Sequence, residues 1–63
     1  MQVTLDRVWY NPAIDGFEGR VDVNREGLTF RYPCTVSGPP DMPQEALVQQ
    51  MIRQAKRMSD SVH

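Results

Sequence analysis

A thiol and an imidazole could in principle act as nucleophile and base, and the chain has one of each, Cys34 and His63. A reactive cysteine needs nearby positive charge, partial exposure and a base within reach. Cys34 shares strand parity with Phe30, Tyr32 and Val36, so it is expected to face a core. Arg20 and Arg31 have the opposite parity, and His63 is the last residue. The thiol therefore reads as structural. One cysteine excludes a disulfide within the chain, and one histidine makes a Cys/His metal cluster a poor prospect. No metal and no cofactor are expected.

The carboxylates Asp6, Asp15, Glu18, Asp22, Glu26, Asp41, Glu45 and Asp60 are scattered. Glu18 and Asp22 share a strand face, but Arg20 stands between them, which reads as charge alternation on a wet surface. Acid–base catalysis needs a pocket that shifts a pKa, and so small a chain has little room for one. Enzymatic activity is not expected.

Two binding surfaces suggest themselves. Trp9 and Tyr10 adjoin Pro12 and Ile14, and these four are candidates for an apolar interface, since aromatic anchors are enriched at protein contacts. Arg20, Arg31, Arg53, Lys56 and Arg57 are candidates for phosphate contacts with nucleic acid. Net charge is −1, so bulk electrostatic steering is absent, and Glu18 and Asp22 would repel phosphate. A solvated helix and sheet face is the simpler account of these bases.

The elements that position these residues follow from periodicity. Met1–Tyr10 reads as a first strand in which Val3 and Leu5 alternate with Thr4 and Asp6. Val8, Trp9 and Tyr10 then break parity, which predicts a bulge near Arg7 or Val8. NPAIDG, residues 11–16, is a loop: Pro12 lacks a donor and Asp15-Gly16 favours reversal. Phe17, Gly19, Val21 and Val23 then point one way, and Glu18, Arg20, Asp22 and Asn24 the other. Such period-two alternation marks a strand with one dry face. The turn at residues 24–27 is expected to be a short hairpin loop with a bulge, Gly27 supplying the left-handed residue. Leu28, Phe30, Tyr32, Cys34 and Val36 resume the dry face. Pro33 predicts an edge position or an early strand end.

After SGPP, Asp41 reads as a helix N-cap with Gln44 completing a capping box. Leu47, Val48, Met51, Ile52, Ala55 and Met58 then form an apolar stripe on a helix from about Met42 to Ser59. One amphipathic helix and one half-dry sheet must cover each other. The predicted fold is α+β: a three-stranded antiparallel meander with one C-terminal helix across one face, β-β-β-α, as a single domain over residues 1–63. Phe17, Val21, Val23, Leu28, Phe30, Leu47, Met51 and Ile52 are the expected core. On that expectation, Phe30→Ala unfolds the domain.

The run Trp9, Gly16-Phe17, Val21, Gly27, Cys34-Thr35-Val36-Ser37 and Ala46-Leu47 resembles short bacterial proteins of a family of unknown function. That pattern has an aromatic opening, a hairpin, a C-x-V/I-S stretch and a helix beginning near an alanine–leucine pair. The SGPPDMPQ segment is longer than the pattern implies. The resemblance implies a small bacterial protein and carries over no catalytic residue.

No apolar run approaches the roughly 20 residues needed to span a bilayer, and MQVTLDRVWY lacks the features of a signal peptide. A lone thiol without an export signal favours the cytoplasm. The function expected is a small protein-interaction module or regulator that binds another protein or a second copy of itself. Nucleic-acid binding is the alternative.

Overall fold

The computed structural model describes residues 1–61; His63, the one imidazole, lies outside them. Three antiparallel strands, β1 (Gln2–Asn11), β2 (Gly16–Arg25) and β3 (Leu28–Ser37), lie in sequence order in one sheet. A single helix, α1 (Gln44–Ser61), packs on one face. The architecture is the β-β-β-α arrangement that the alternation predicts.

Both reversals use left-handed residues. Asn11 caps a short 3₁₀ turn, Pro12–Ile14, by accepting from the Ala13 amide at 2.9 Å, and Asp15 at φ 51° closes it. Glu26 and Gly27 both have positive φ, 53° and 81°, between the paired residues Arg25 and Leu28. Two left-handed residues define a type I′ turn, whose twist matches the strands it joins. The hairpin loop is thus two residues long, without the bulge expected there.

The bulge in β1 lies at Asp6, between the paired residues Leu5 and Arg7, slightly before its expected place. It reconciles the parity of the whole strand. Val3, Leu5, Val8 and Tyr10 face the helix side, while Asp6, Arg7 and Trp9 face the other.

The helix begins at Gln44, after a turn in which the Met42 amide donates to the Pro39 carbonyl at 3.0 Å. Asp41 lies in that turn, so the expected N-cap and the start near Met42 are both corrected. The cause is Pro43: a residue before proline is disfavoured in the helical region, which keeps Met42 out of the helix. The first helical hydrogen bond runs from the Leu47 amide to the Pro43 carbonyl.

The core holds Phe17, Val21, Val23, Cys34, Val36, Leu47, Met51 and Ala55. Gly19 lets the helix approach: a Cβ there would lie 2.6 Å from the Met51 sulfur and 2.9 Å from the Arg7 carbonyl oxygen. Two expected core members are elsewhere. Leu28 is 63% exposed and Phe30 44% exposed, and Ile52 is only half-buried. The reason is width. A helix is about 10 Å across, whereas three strands at about 4.8 Å spacing are wider. The helix meets the β3 edge at Thr35, through Gln54, and ends over β2, where Asp60 pairs with Arg25 at 2.6 Å. This diagonal leaves two corners of the dry face. Tyr10, stacked edge-on against Phe17 at 5.2 Å between ring centroids, fills one. Leu28 and Phe30 occupy the other and stay open.

Candidate functional site

The open corner is a groove of about 560 Å³ lined by the apolar Met1, Leu28 and Phe30, with Tyr32, Ser59 and the charged Arg25 and Glu26 at its margins. Met1, Leu28 and Phe30 are the exposed apolar side chains in it. It adjoins the outer edge of β3, whose backbone orientation is set by one observation. The Gln54 side-chain amide faces Thr35, its oxygen accepting from the Thr35 amide at 3.2 Å and its nitrogen donating to the Thr35 carbonyl. Gln54 thus occupies the place a fourth strand would take. Backbone polar groups alternate in direction along a strand, so Pro33, Arg31 and Thr29 face outward like Thr35. Pro33 sits where its missing amide costs no ladder hydrogen bond, which explains why β3 continues through it to Ser37. Among the described residues no further strand pairs with this edge, so Thr29 and Arg31 present their backbone donors and acceptors outward.

Edge strands are commonly blunted by charge, and the edge carries one charged side chain, Arg31. It is drawn inward. Its Nε donates to Asp22 Oδ1 at 2.9 Å, and its NH2 lies 3.6 Å from Asp6 on β1. The hydrogen bond to Arg31 holds the Asp22 carboxyl below its ordinary range, and Asp22 in turn raises Arg31. Asp6, outward by the same alternation that turns Leu5 inward, supplies the second carboxylate. The bulge at Asp6 disrupts the β1 edge, so the two edges of the sheet are unlike.

Trp9 and Tyr10 lie on opposite faces. Tyr10 packs against the core. Trp9 lies on the outer face, donating from Nε1 to Glu18 Oε2 at 3.2 Å, and Asn11 donates to the same oxygen at 2.9 Å. The guanidinium carbons of Arg7 and Arg20 stand 5.4 and 5.7 Å from the Trp9 ring centroid, within cation–π range. Pro12 and Ile14 are exposed on the connecting turn. The four candidate interface residues are therefore divided between two faces and a loop.

The five candidate phosphate ligands are divided too. Arg20 and Arg31 belong to the outer sheet face, one over Trp9 and one bound by two carboxylates. Arg53, Lys56 and Arg57 are exposed on the helix, which packs on the other side of the sheet.

Cys34 is 2% exposed. Its Sγ lies 3.5 Å from the Met51 carbonyl oxygen, and burial pushes the thiol pKa up. That is the reverse of what an activated nucleophile requires. Among the described residues, no three His, Cys, Asp or Glu side chains cluster as metal ligands, and no helix is long and apolar enough to cross a membrane.

Parity counting places Glu18 on the wet face but does not find its contact with Trp9, nor the roles of Arg7 and Gln54. The Trp9–Glu18 contact follows from a register that no local signal announces. Gln54 reads as one more polar residue on a helix, and its role exists only once the helix crosses the β3 edge. No family model, curated protein or solved structure matches the chain.

Proposed function

We propose that this chain is a small, non-enzymatic protein-interaction module that binds through the open corner and the outer edge of β3. The observation that carries the proposal is the adjacency of exposed Leu28 and Phe30 to a strand edge whose Thr29 and Arg31 backbone groups face outward. An added strand would gain main-chain hydrogen bonds from the edge and side-chain pockets from the corner. The unreactive setting of Cys34 supports a binding role over a catalytic one, and a lone thiol suits a reducing cytoplasm.

The test is selection of random extended peptides on sparsely immobilised wild-type chains. The expected result is enrichment of alternating apolar sequences, lost when Phe30→Asp replaces wild type. Enrichment indifferent to Phe30 would contradict the proposal. So would salt-sensitive retention of the protein on DNA or RNA that depends on Arg53, Lys56 and Arg57, because phosphate contacts release counterions.

A further inference from the structure

We propose that the occupant of this corner is a second copy of the chain, its β3 pairing antiparallel with the first so that Phe30 lies on the twofold axis. This rests on the reading of the β3 edge as a binding surface and names what binds there.

The open edge has two defined ends. The type I′ turn at Glu26-Gly27 closes one, and the Gln54 clamp on Thr35 closes the other. Between them run residues 28–34, of which Thr29 and Arg31 turn both a donor and an acceptor outward, and Phe30 stands midway between these two. Twofold pairing about that midpoint sets Thr29 against the partner's Arg31, and Arg31 against the partner's Thr29. All four residues carry outward donors and acceptors, so the complete ladder pairs fall at the centre. Pro33, which has no donor, falls against the partner's Gly27 at the end of the ladder. Moving the axis to Arg31 would set Pro33 against the partner's Thr29 and leave the Thr29 carbonyls without donors. It would also bring two guanidinium-bearing residues directly opposite each other, a destabilising pair. A slip by a single residue in the sum of paired positions would set outward-facing groups against inward-facing ones.

The same register matches the side chains. On the helix side, Phe30 meets the partner's Phe30, and Leu28 meets the partner's Tyr32, so the two open corners cover each other. On the outer face Arg31 is already turned back toward Asp22 and Asp6. Charge agrees as well. The exposed Glu26 at the hairpin tip falls opposite residue 34 of the other copy, beside the helix groove that contains Arg53, Gln54 and Arg57. The β1 edge offers no such match, because the bulge at Asp6 interrupts it.

Sedimentation velocity of wild type, Phe30→Asp and Thr29→Pro across a wide concentration range tests the arrangement, with circular dichroism confirming that each variant is folded. Wild type is expected to reach twice the mass of the chain, while both variants stay monomeric. Register is read by oxidation. In an antiparallel non-hydrogen-bonded pair the Cα atoms are about 4.5 Å apart, within disulfide range. Phe30→Cys should therefore form a covalent dimer, and Thr35→Cys, outside the open edge, should not. A wild-type chain that stays monomeric throughout overturns the proposal, as does a dimer that survives both Phe30→Asp and Thr29→Pro. A monomeric wild type that still selects peptides through Phe30 removes the second copy but leaves the interaction reading. Failure of both experiments removes both.

Discussion

The two halves of β3 share one strand, one parity and similar side chains, yet they meet opposite fates. Cys34 and Val36 lie beneath the helix at 2% and 3% exposure, while Leu28 and Phe30 stand at 63% and 44%. Composition does not separate them, since the exposed half carries the larger side chains. The difference is the path of α1. It covers β3 at Thr35, crosses to β2 and leaves the first half of β3 bare. Hydrophobic alternation along a strand therefore identifies the face that prefers to be dry. It does not say whether the chain itself has enough helix to dry it.

Perturbing the covered half should give the largest effect. Met51 is fully buried where the helix meets Gly19, and Met51→Ala should destabilise the fold by about 2–5 kcal/mol in a denaturant titration. Next comes Gly19→Ala. Its new Cβ would press on the Arg7 carbonyl, which is backbone and yields little, so a loss of about 1–3 kcal/mol is expected. The open half should respond weakly in the same assay. Phe30→Ala, measured where the chain is monomeric, should cost about 1 kcal/mol or less. This replaces the expectation that Phe30 holds the fold together. Equal losses at Met51 and Phe30 would erase the contrast between the halves.

Two smaller effects depend on pH. Burial raises the Cys34 pKa, so its contribution to stability is complete below the unfolded thiol value, about 8.5, and is lost as pH rises through the higher folded value. Cys34→Ala should remove that alkaline loss from a pH series of melts. Asp22 behaves in the opposite sense. Its folded pKa is lowered chiefly by the Arg31 hydrogen bond, so its contribution is present above the usual value near 3.9 and disappears as pH falls through the lower folded value. Because the pair is exposed, the effect on stability should be slight. Asp22→Asn should instead show itself at the edge, by releasing Arg31 toward solvent and weakening self-association in sedimentation runs.

The fold was largely legible because its signals are local. Alternation from Phe17 to Val36 marks two strands, and the Leu47–Met58 stripe marks the helix that must cover them. Capping went astray because Asp41 and Gln44 satisfy the spacing of a capping box, while Pro43 silently forbids a helix starting at Met42. The site was less legible for a different reason. The aromatic pair Trp9-Tyr10 draws attention, but a bulge sends one ring to each face. The open corner depends on where a helix crosses a sheet, and that angle is the outcome of packing at Gly19, Met51 and Gln54 together. Phe30 was visible as an apolar residue on the dry face; that the dry face has an unfilled corner was not.

The helix dries one half of β3, and in the proposed dimer a second copy dries the other. The most direct measurement of this division is the melting temperature of wild type as a function of protein concentration, beside that of Phe30→Asp. Association of folded chains raises the midpoint by mass action, so the wild-type midpoint should climb with concentration while that of the variant stays constant. A wild-type midpoint indifferent to concentration, or a variant that climbs in parallel with it, would contradict the account.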